Sequence, residues 1–318
     1  MLVNFALSTH WNASRHTSGG AMLDEIAALG FDRVELGYDT RLDLVPGIVE
    51  HVRSGAMRVG SLHNICPVPI GAPRGHPEIF TLGSPDARER ASAVHHTSRT
   101  LRFAAELGAT VVVTHAGNVE MDHFSYQLAE LCLAGRQYDA LYEKLKLRCQ
   151  TQRDKKAPKQ IKFLRESLEQ LKPVLAETGV FLAIENLPTW EALPTELELE
   201  ELLRDFGPAG VRYWHDIGHG QIRQNLGFIH AERWLERLLP WLAGMHVHDV
   251  APPATDHVMP PRGHVDFTRY QRFAAATPVL VIEPTPRTPA EEIREGRAHL
   301  LQLWNPAPTP TQPEGNAS

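Results

Sequence analysis

Seven short stretches carry an acid or an imidazole at or next to the end of an apolar run. They are VELG (34–37), SLH (61–63), VVVTH (111–115), AIENL (183–187), HDIGH (215–219), HVHD (246–249) and VIEP (281–284). Carboxylates and imidazoles are the side chains that hold divalent ions and move protons near neutral pH. Three of the carboxylates, Glu185, Asp216 and Glu283, together with an imidazole from HVH, make a divalent-metal shell. His246 and His248 both stand as candidates for that imidazole. Aspartate and histidine recur close by, with His219 three residues past Asp216 and Asp256 directly before His257.

These residues become a site only if something brings them together. Side chains alternate across a β-strand, so residues two apart share a face. Phe181, Ala183 and Glu185 then share one face, and Val279, Val281 and Glu283 another. His115 falls in phase with Val111 and Val113, and His63 with Val59 and Ser61. Asp216 is in phase with Trp214, whereas His215 has the opposite phase and is expected to face helices. Glu35 is out of phase with Val34 and Leu36. His246 and His248 share a face, so strand phase alone does not choose between them. An ionisable group near the end of each of seven strands, all on one face, gathers charges that repel unless a cation offsets them.

The strands themselves fall at 3–8, 33–37, 58–63, 110–115, 180–185, 211–216, 244–248 and 278–283. Amphipathic helical patterns lie between them, at 20–29, 44–54, 84–107, 124–150 with 159–178, 195–205, 230–239, 267–275 and 288–303. Eight strand–helix units predict an α/β fold, a single-domain (β/α)8 TIM barrel over residues 1–304. In such a barrel the C-terminal strand ends line the active-site mouth. Gly30 and Gly108 precede strands where a left-handed helix cap is wanted. Ser84 is expected to cap the third helix, with Pro85 at its first position. His219 is expected in the loop after the sixth strand, and Asp256 and His257 in the loop after the seventh. His10, one step past the first strand, either lines the mouth or is solvated.

A helical insertion at 119–165 follows the fourth strand. Its segment from Lys144 to Arg165 holds nine Lys or Arg and one Asp. It reads as a solvated helical hairpin on the barrel top, with a lid or a phosphate-binding patch as the alternative. Residues 305–318 are Pro-rich and polar and are expected to be disordered.

Composition narrows the function classes. The formal charge of −6 speaks against nucleic acid and acidic membranes as partners. Three cysteines without C-x-x-C spacing argue for a reducing, cytoplasmic compartment rather than a disulfide framework. There is no signal-peptide pattern at the N-terminus and no apolar run of about 20 residues for a membrane span.

With these residues assembled, the chain resembles the xylose isomerase-like TIM barrels, a superfamily of sugar isomerases and epimerases, inosose dehydratases and the endonuclease IV family. The resemblance rests on GFDRVELG, THAG, AIENL, HDIGH, HVHD and VIEP, one per successive strand, and covers roughly residues 2–303. It implies metal ligands at Glu185, Asp216, His246 and Glu283. It thereby assigns His246 rather than His248 as ligand, and leaves Asp249 to orient His246 or a neighbouring loop. Glu185 and Glu283 are the implied proton-transfer pair. His63, His115, His219, His248, Glu35 and His257 are expected around the substrate. The implied activity is a divalent-metal-dependent isomerase or epimerase acting on a sugar or sugar derivative through an enediolate, or a related carbohydrate or inosose lyase. One ion of Mn2+, Mg2+, Co2+ or Zn2+ is expected, and a homo-oligomer is compatible with this reading. The first alternative is an endonuclease IV-like phosphodiesterase with up to three ions, acting on abasic DNA. That branch carries Asp-x-His after the seventh strand, where this chain has Asp256 and His257 adjacent. A non-catalytic carbohydrate-binding barrel is the second alternative.

Overall fold

The computed structural model describes residues 3–305, so most of the Pro-rich tail lies outside the described residues. The strands are β1 (Ala6–Ser8), β2 (Arg33–Leu36), β3 (Arg58–His63), β4 (Val111–Thr114), β5 (Phe181–Glu185), β6 (Val211–Asp216), β7 (Leu242–Val247), β8 (Asp249–Ala251), β9 (Thr255–Val258) and β10 (Val279–Ile282). All but β8 and β9 close into one parallel barrel, in the order β1-β10-β7-β6-β5-β4-β3-β2. The β8–β9 pair is an antiparallel hairpin over the mouth. The barrel is the (β/α)8 architecture that the strand–helix alternation predicts.

The period-two reading holds in most strands of the barrel, but the register shift between β2 and β3 breaks it at Val59, which joins the outer core instead of sharing a face with Ser61 and His63. Ala6, Val111, Val113, Ala183, Trp214, Val279 and Val281 form a core cluster of their own in the barrel interior, with Ala243 as the one member that shares the phase of Met245 and Val247. Leu182, Ile184, Met245, Val247, Leu280 and Ile282, in the opposite phase, join the larger core beneath the helices. The Trp214 ring fills the interior against Gly244, where a β-carbon would overlap it. This plug forms the floor on which the mouth residues stand.

The outer layer comprises α1 (Gly19–Ala27), α2 (Val45–Arg53), α3 (Ala87–Glu106), α4 (Phe124–Leu133), α5 (Ala140–Thr178), α6 (Glu196–Phe206), α7 (Ile217–Asn225), α8 (Ala231–Leu238), α9 (Gln271–Ala276) and α10 (Ala290–Trp304). Gly30 and Gly108 take positive φ, at 86° and 72°, as left-handed caps require. Three local expectations are corrected. Asp86, not Ser84, caps α3, because its carboxylate accepts from Arg88 N at 2.7 Å. The Ser84 hydroxyl instead donates to Glu89 at 2.7 Å. The insertion does not break near residues 151–158. It turns at Gly135 (φ 69°), and α5 then runs unbroken for 39 residues, through Pro158 and Pro173. The basic residues are therefore part of the barrel helix itself. Arg153, on its buried face, pairs with Glu198 and with the carbonyls of Trp190 and Ala192, tying α5 to the loop after β5. The third correction is a helix where a loop was expected after β6. Asp216 caps α7 by accepting from His219 N at 2.7 Å, so His219 sits in its first turn.

Replacing Gly244 with alanine forces the Trp214 plug to move. The expected cost is about 1–3 kcal/mol of stability, as for other overpacked cores, read from urea unfolding against wild type.

Candidate metal centre and active site

The C-terminal ends of β2 to β7 and β10 deliver their polar side chains to one buried locus. Glu185 ends β5, Asp216 ends β6, His246 lies one residue before the end of β7, and Glu283 follows β10. Their ligand atoms lie within 4.8 Å of one another. His246 Nδ1 is the hub, 3.2 Å from Glu185 Oε1, 3.1 Å from Glu283 Oε2 and 3.7 Å from Asp216 Oδ2. Its Nε2 donates to Glu35 at 3.0 Å, and Glu35 also accepts from Ser61 at 2.7 Å. Glu35 is fully buried behind His246. The geometry therefore places it against an imidazole rather than facing the mouth.

The other histidines are fixed in the same manner. His63 Nδ1 faces Asn64 O at 3.1 Å, His219 Nδ1 faces Asn186 O at 3.0 Å, and His257 Nδ1 faces Glu283 O at 3.0 Å. A carbonyl oxygen only accepts, so in each ring Nδ1 carries the proton. The neutral form then has its lone pair on Nε2. His63 Nε2 points to Glu185 Oε2 at 3.4 Å, joined there by His115 Nε2 at 3.2 Å. Glu185 Oε2 is buried yet makes no well-aligned hydrogen bond. His63, His115 and Glu185 form a second group of metal-ligand type, and His219, His248 and His257 a third. His248 reaches the Asp216 carboxylate at 3.0 Å, stacks on His257 at 4.2 Å, and accepts the His257 amide at 2.9 Å. His257 holds a left-handed backbone, φ 52°, a strained state typical of functional loops.

The electrostatics follow from this crowding. Burial alone would raise the Glu185 carboxyl, but the imidazoles of His246, His115 and His219 outweigh it and hold it well below the carboxylate range. Asp216 is likewise depressed, burial being overcome by His219 and His248. Burial would lower His246, and Glu283, Glu35 and Glu185 instead raise it well above the ordinary imidazole value. His115 is pushed up to about 9, against burial, by Glu185 and Glu78. Among the described residues, no lysine or arginine is ion-paired with Glu35, Glu185, Asp216 or Glu283. The donor set, the unsatisfied Glu185 oxygen and the inward lone pairs all fit a divalent cation.

Several neighbours escape a strand-phase reading. Asn186 receives the Asp216 amide at 2.9 Å and donates to its carbonyl at 3.0 Å, fixing the β6 terminus. Glu78, on the long loop after β3, stands 3.8 Å from His115. His10 is half-buried, with Nδ1 3.0 Å from Asp39 and Nε2 3.3 Å from the Tyr38 hydroxyl, so it lines the rim. His215 faces the helices as its phase predicts, hydrogen-bonded to the Tyr213 hydroxyl, and burial lowers it to about 4. Tyr38 and Asp39 directly follow VELG, and that position was the available signal for them. Glu78 lies far from any strand and had none.

Asp249 organises the mouth loop rather than His246. It accepts from the amides of Val250 at 2.8 Å, Gly263 at 2.8 Å and Val265 at 2.9 Å.

A closed parallel barrel with a carboxylate–imidazole mouth defines the class, and comparison with known proteins places the chain within it. The chain belongs to the xylose isomerase-like TIM barrel family, whose sequence model matches residues 23–303. An uncharacterized protein of Methanocaldococcus jannaschii is 25% identical over 240 residues, 75% of each chain. Solved structures share the fold at lower identity. A D-tagatose 3-epimerase-like protein aligns with a TM-score of 0.67 at 17% identity, covering 95% of this chain and 98% of its own. The 3-keto-D-glucoside 4-epimerase of E. coli aligns at 0.66 and 17%, covering 94% and 98%. The D-psicose 3-epimerase of Clostridium cellulolyticum aligns at 0.63 and 12%, covering 94% and 99%.

Replacing Asp249 with alanine removes the acceptor of three backbone amides. The Gly263 and Val265 amides are expected to exchange with solvent deuterium at least about tenfold faster, since losing more than about 1.4 kcal/mol of protection gives that factor; unchanged exchange would reject this role.

Proposed function

We propose that the protein is a divalent-metal-dependent sugar isomerase or epimerase, with a related carbohydrate lyase as the neighbouring activity. The observation that carries this reading is the convergence of Glu185 and Glu283 on one imidazole nitrogen, at 3.2 and 3.1 Å, in a site to which no lysine or arginine is paired among the described residues. Glu185, Asp216, His246 and Glu283 would hold the ion. When bound, the ion supplies Lewis acidity to a substrate carbonyl and the hydroxyl beside it, which acidifies the intervening C–H.

The chain's own groups then divide the work. One of Glu185 and Glu283 takes the proton from carbon, and the other returns it to the neighbouring carbon or to the opposite face. Each carboxylate can serve as base and then acid. Glu35 is a positioning residue, because its bond to Nε2 keeps His246 Nδ1 facing inward. His219 and His115, on opposite sides of Glu185, are placed to hold substrate hydroxyls. Small sugars of this kind are the molecules named for the epimerases that share the fold.

A second reading has its own support. The groups His63–His115–Glu185 and His219–His248–His257 flank the central four and share ligands or close contacts with them. Three adjacent ions would suit in-line phosphodiester hydrolysis, as in an endonuclease IV-like enzyme.

The ion count separates the two. Elemental analysis of the purified protein is expected to find about one ion per chain, whereas about three, with cleavage of abasic DNA, would establish the hydrolase. Deuterium from solvent is expected to enter a ketose or aldose incubated with the Mn2+-loaded protein. In Glu283→Gln the rate is expected to fall at least about 100-fold, the usual worth of a positioned acid–base group. The melting temperature should rise on metal loading, and this rise should be lost in Glu185→Gln. A wild type that binds no metal, or that retains full exchange after Glu283→Gln, defeats the proposal.

A further inference from the structure

A pocket of about 230 Å³ opens beside the metal centre, between α4, α7 and the β8–β9 hairpin. Its walls include Ala129, Ile222 and Ala254, and its site-facing end is formed by Pro188, Thr189 and Asp256. The pocket is adjacent to the site through the residues that line it. Asp256 Oδ2 lies 3.9 Å from His219 Nε2, Ile222 is one helical turn beyond His219, and Pro188 is three residues past Glu185. The pocket's volume is many times the roughly 10–15 Å³ of such space that one water needs, and it is the scale of a second sugar ring rather than of a single methyl group.

Its chemistry is selective. Among the described residues, no lysine, arginine or histidine lines it, and the one charged group is the Asp256 carboxylate. A phosphate there would meet an anion and no counter-charge. None of the cations of α5 lines the pocket: Lys144, Lys155, Lys159 and Lys162 are exposed, Arg148 lies over the Phe124 ring and Lys146 is committed to the Gly227 carbonyl at 2.8 Å. Apolar walls with hydroxyls from Ser125, Tyr126 and Thr189 suit a neutral ring with an apolar face and polar edges. The Tyr126 ring, 64% exposed at the pocket, offers a stacking surface.

We infer that this pocket is a substrate subsite for a neutral second ring, so that the preferred substrate is a glycosyl-substituted sugar and not a sugar phosphate. The inference rests on the isomerase or epimerase reading, since it names the substrate class of that site.

Three ketoses that differ only at O6 make the test: D-fructose, D-fructose 6-phosphate and isomaltulose, which carries a glucosyl group there. Affinities for the Mn2+-loaded full chain would be read by saturation-transfer NMR competition, with deuterium incorporation followed in parallel. Isomaltulose is expected to bind about tenfold more tightly than fructose, equivalent to about 1.4 kcal/mol, and the phosphate no more tightly than fructose. Ala129→Phe and Ala254→Phe fill the pocket from different walls. Each is expected to bring isomaltulose down to the fructose level while leaving fructose exchange unchanged. Two variants guard against one failing to fold, which a melting curve reports. Equal binding of isomaltulose and fructose, preference for the phosphate, or an isomaltulose preference that survives both substitutions overturns the inference. Phenyl β-D-glucoside, which has no free carbonyl, probes the pocket alone. Binding of it that both fillings abolish, with no deuterium entering any ketose, upholds the subsite while the isomerase reading falls. Deuterium in fructose without phenyl glucoside binding upholds the isomerase reading while the subsite falls.

Discussion

Four carboxylates are held in a buried locus where water cannot screen them and no lysine or arginine is paired with them. Coulomb repulsion among like charges grows as the effective dielectric falls, so this arrangement persists only with positive charge among the carboxylates. Imidazoles supply part of it, which is why His246 is driven up and Glu185 down. A divalent ion is the compact alternative. The tautomers of His63, His219, His246 and His257 are set for it, because the outward nitrogen of each is committed to a carbonyl or to Glu35.

The rest of the molecule serves that locus. The small inner core of alanine and valine around Trp214 gives the mouth a dry floor, and Gly244 lets the indole lie across it. Gly218 has the same relation to the His248 ring, which occupies the space a β-carbon would need. Capping couples fold to site at Asp216, whose two oxygens start α7 and contact His248. The hairpin after β7 is folded around Asp249, and it brings Asp256 and His257 over the centre.

Much of this could be read from the chain alone. Strand phase found Glu185, Asp216, Glu283, His63, His115 and Glu35, because period two survives wherever one face is core; it offered His246 and His248 alike, and the family resemblance chose His246. Phase also separated His215 from Asp216. What it could not supply was depth along the barrel axis. Glu35 and His246 share the inward phase with the mouth residues, yet Glu35 sits behind His246 rather than at the rim. Helical stretches were legible as patterns, but their ends were decided by competing acceptors, as at Asp86 against Ser84. The run around Pro158 looked like a break, and burial of Ala157 and Gln160 against the loops keeps α5 continuous there.

By itself the sequence determined the fold class, the closure of eight strands and the identity of the strand-end groups that meet at the mouth. Each of those follows from local periodicity and residue chemistry. Tertiary structure alone decided which atoms face one another: that His246 turns Nδ1 rather than Nε2 to the carboxylates, that Asp249 folds a loop, and that Glu78, Asp39 and Asn186 join the site. It also decided that a pocket with no cationic lining, not the basic helix, lies next to the candidate metal centre. Those are matters of loop path and ring orientation, set by contacts between residues far apart in the chain, and no short-range pattern encodes them.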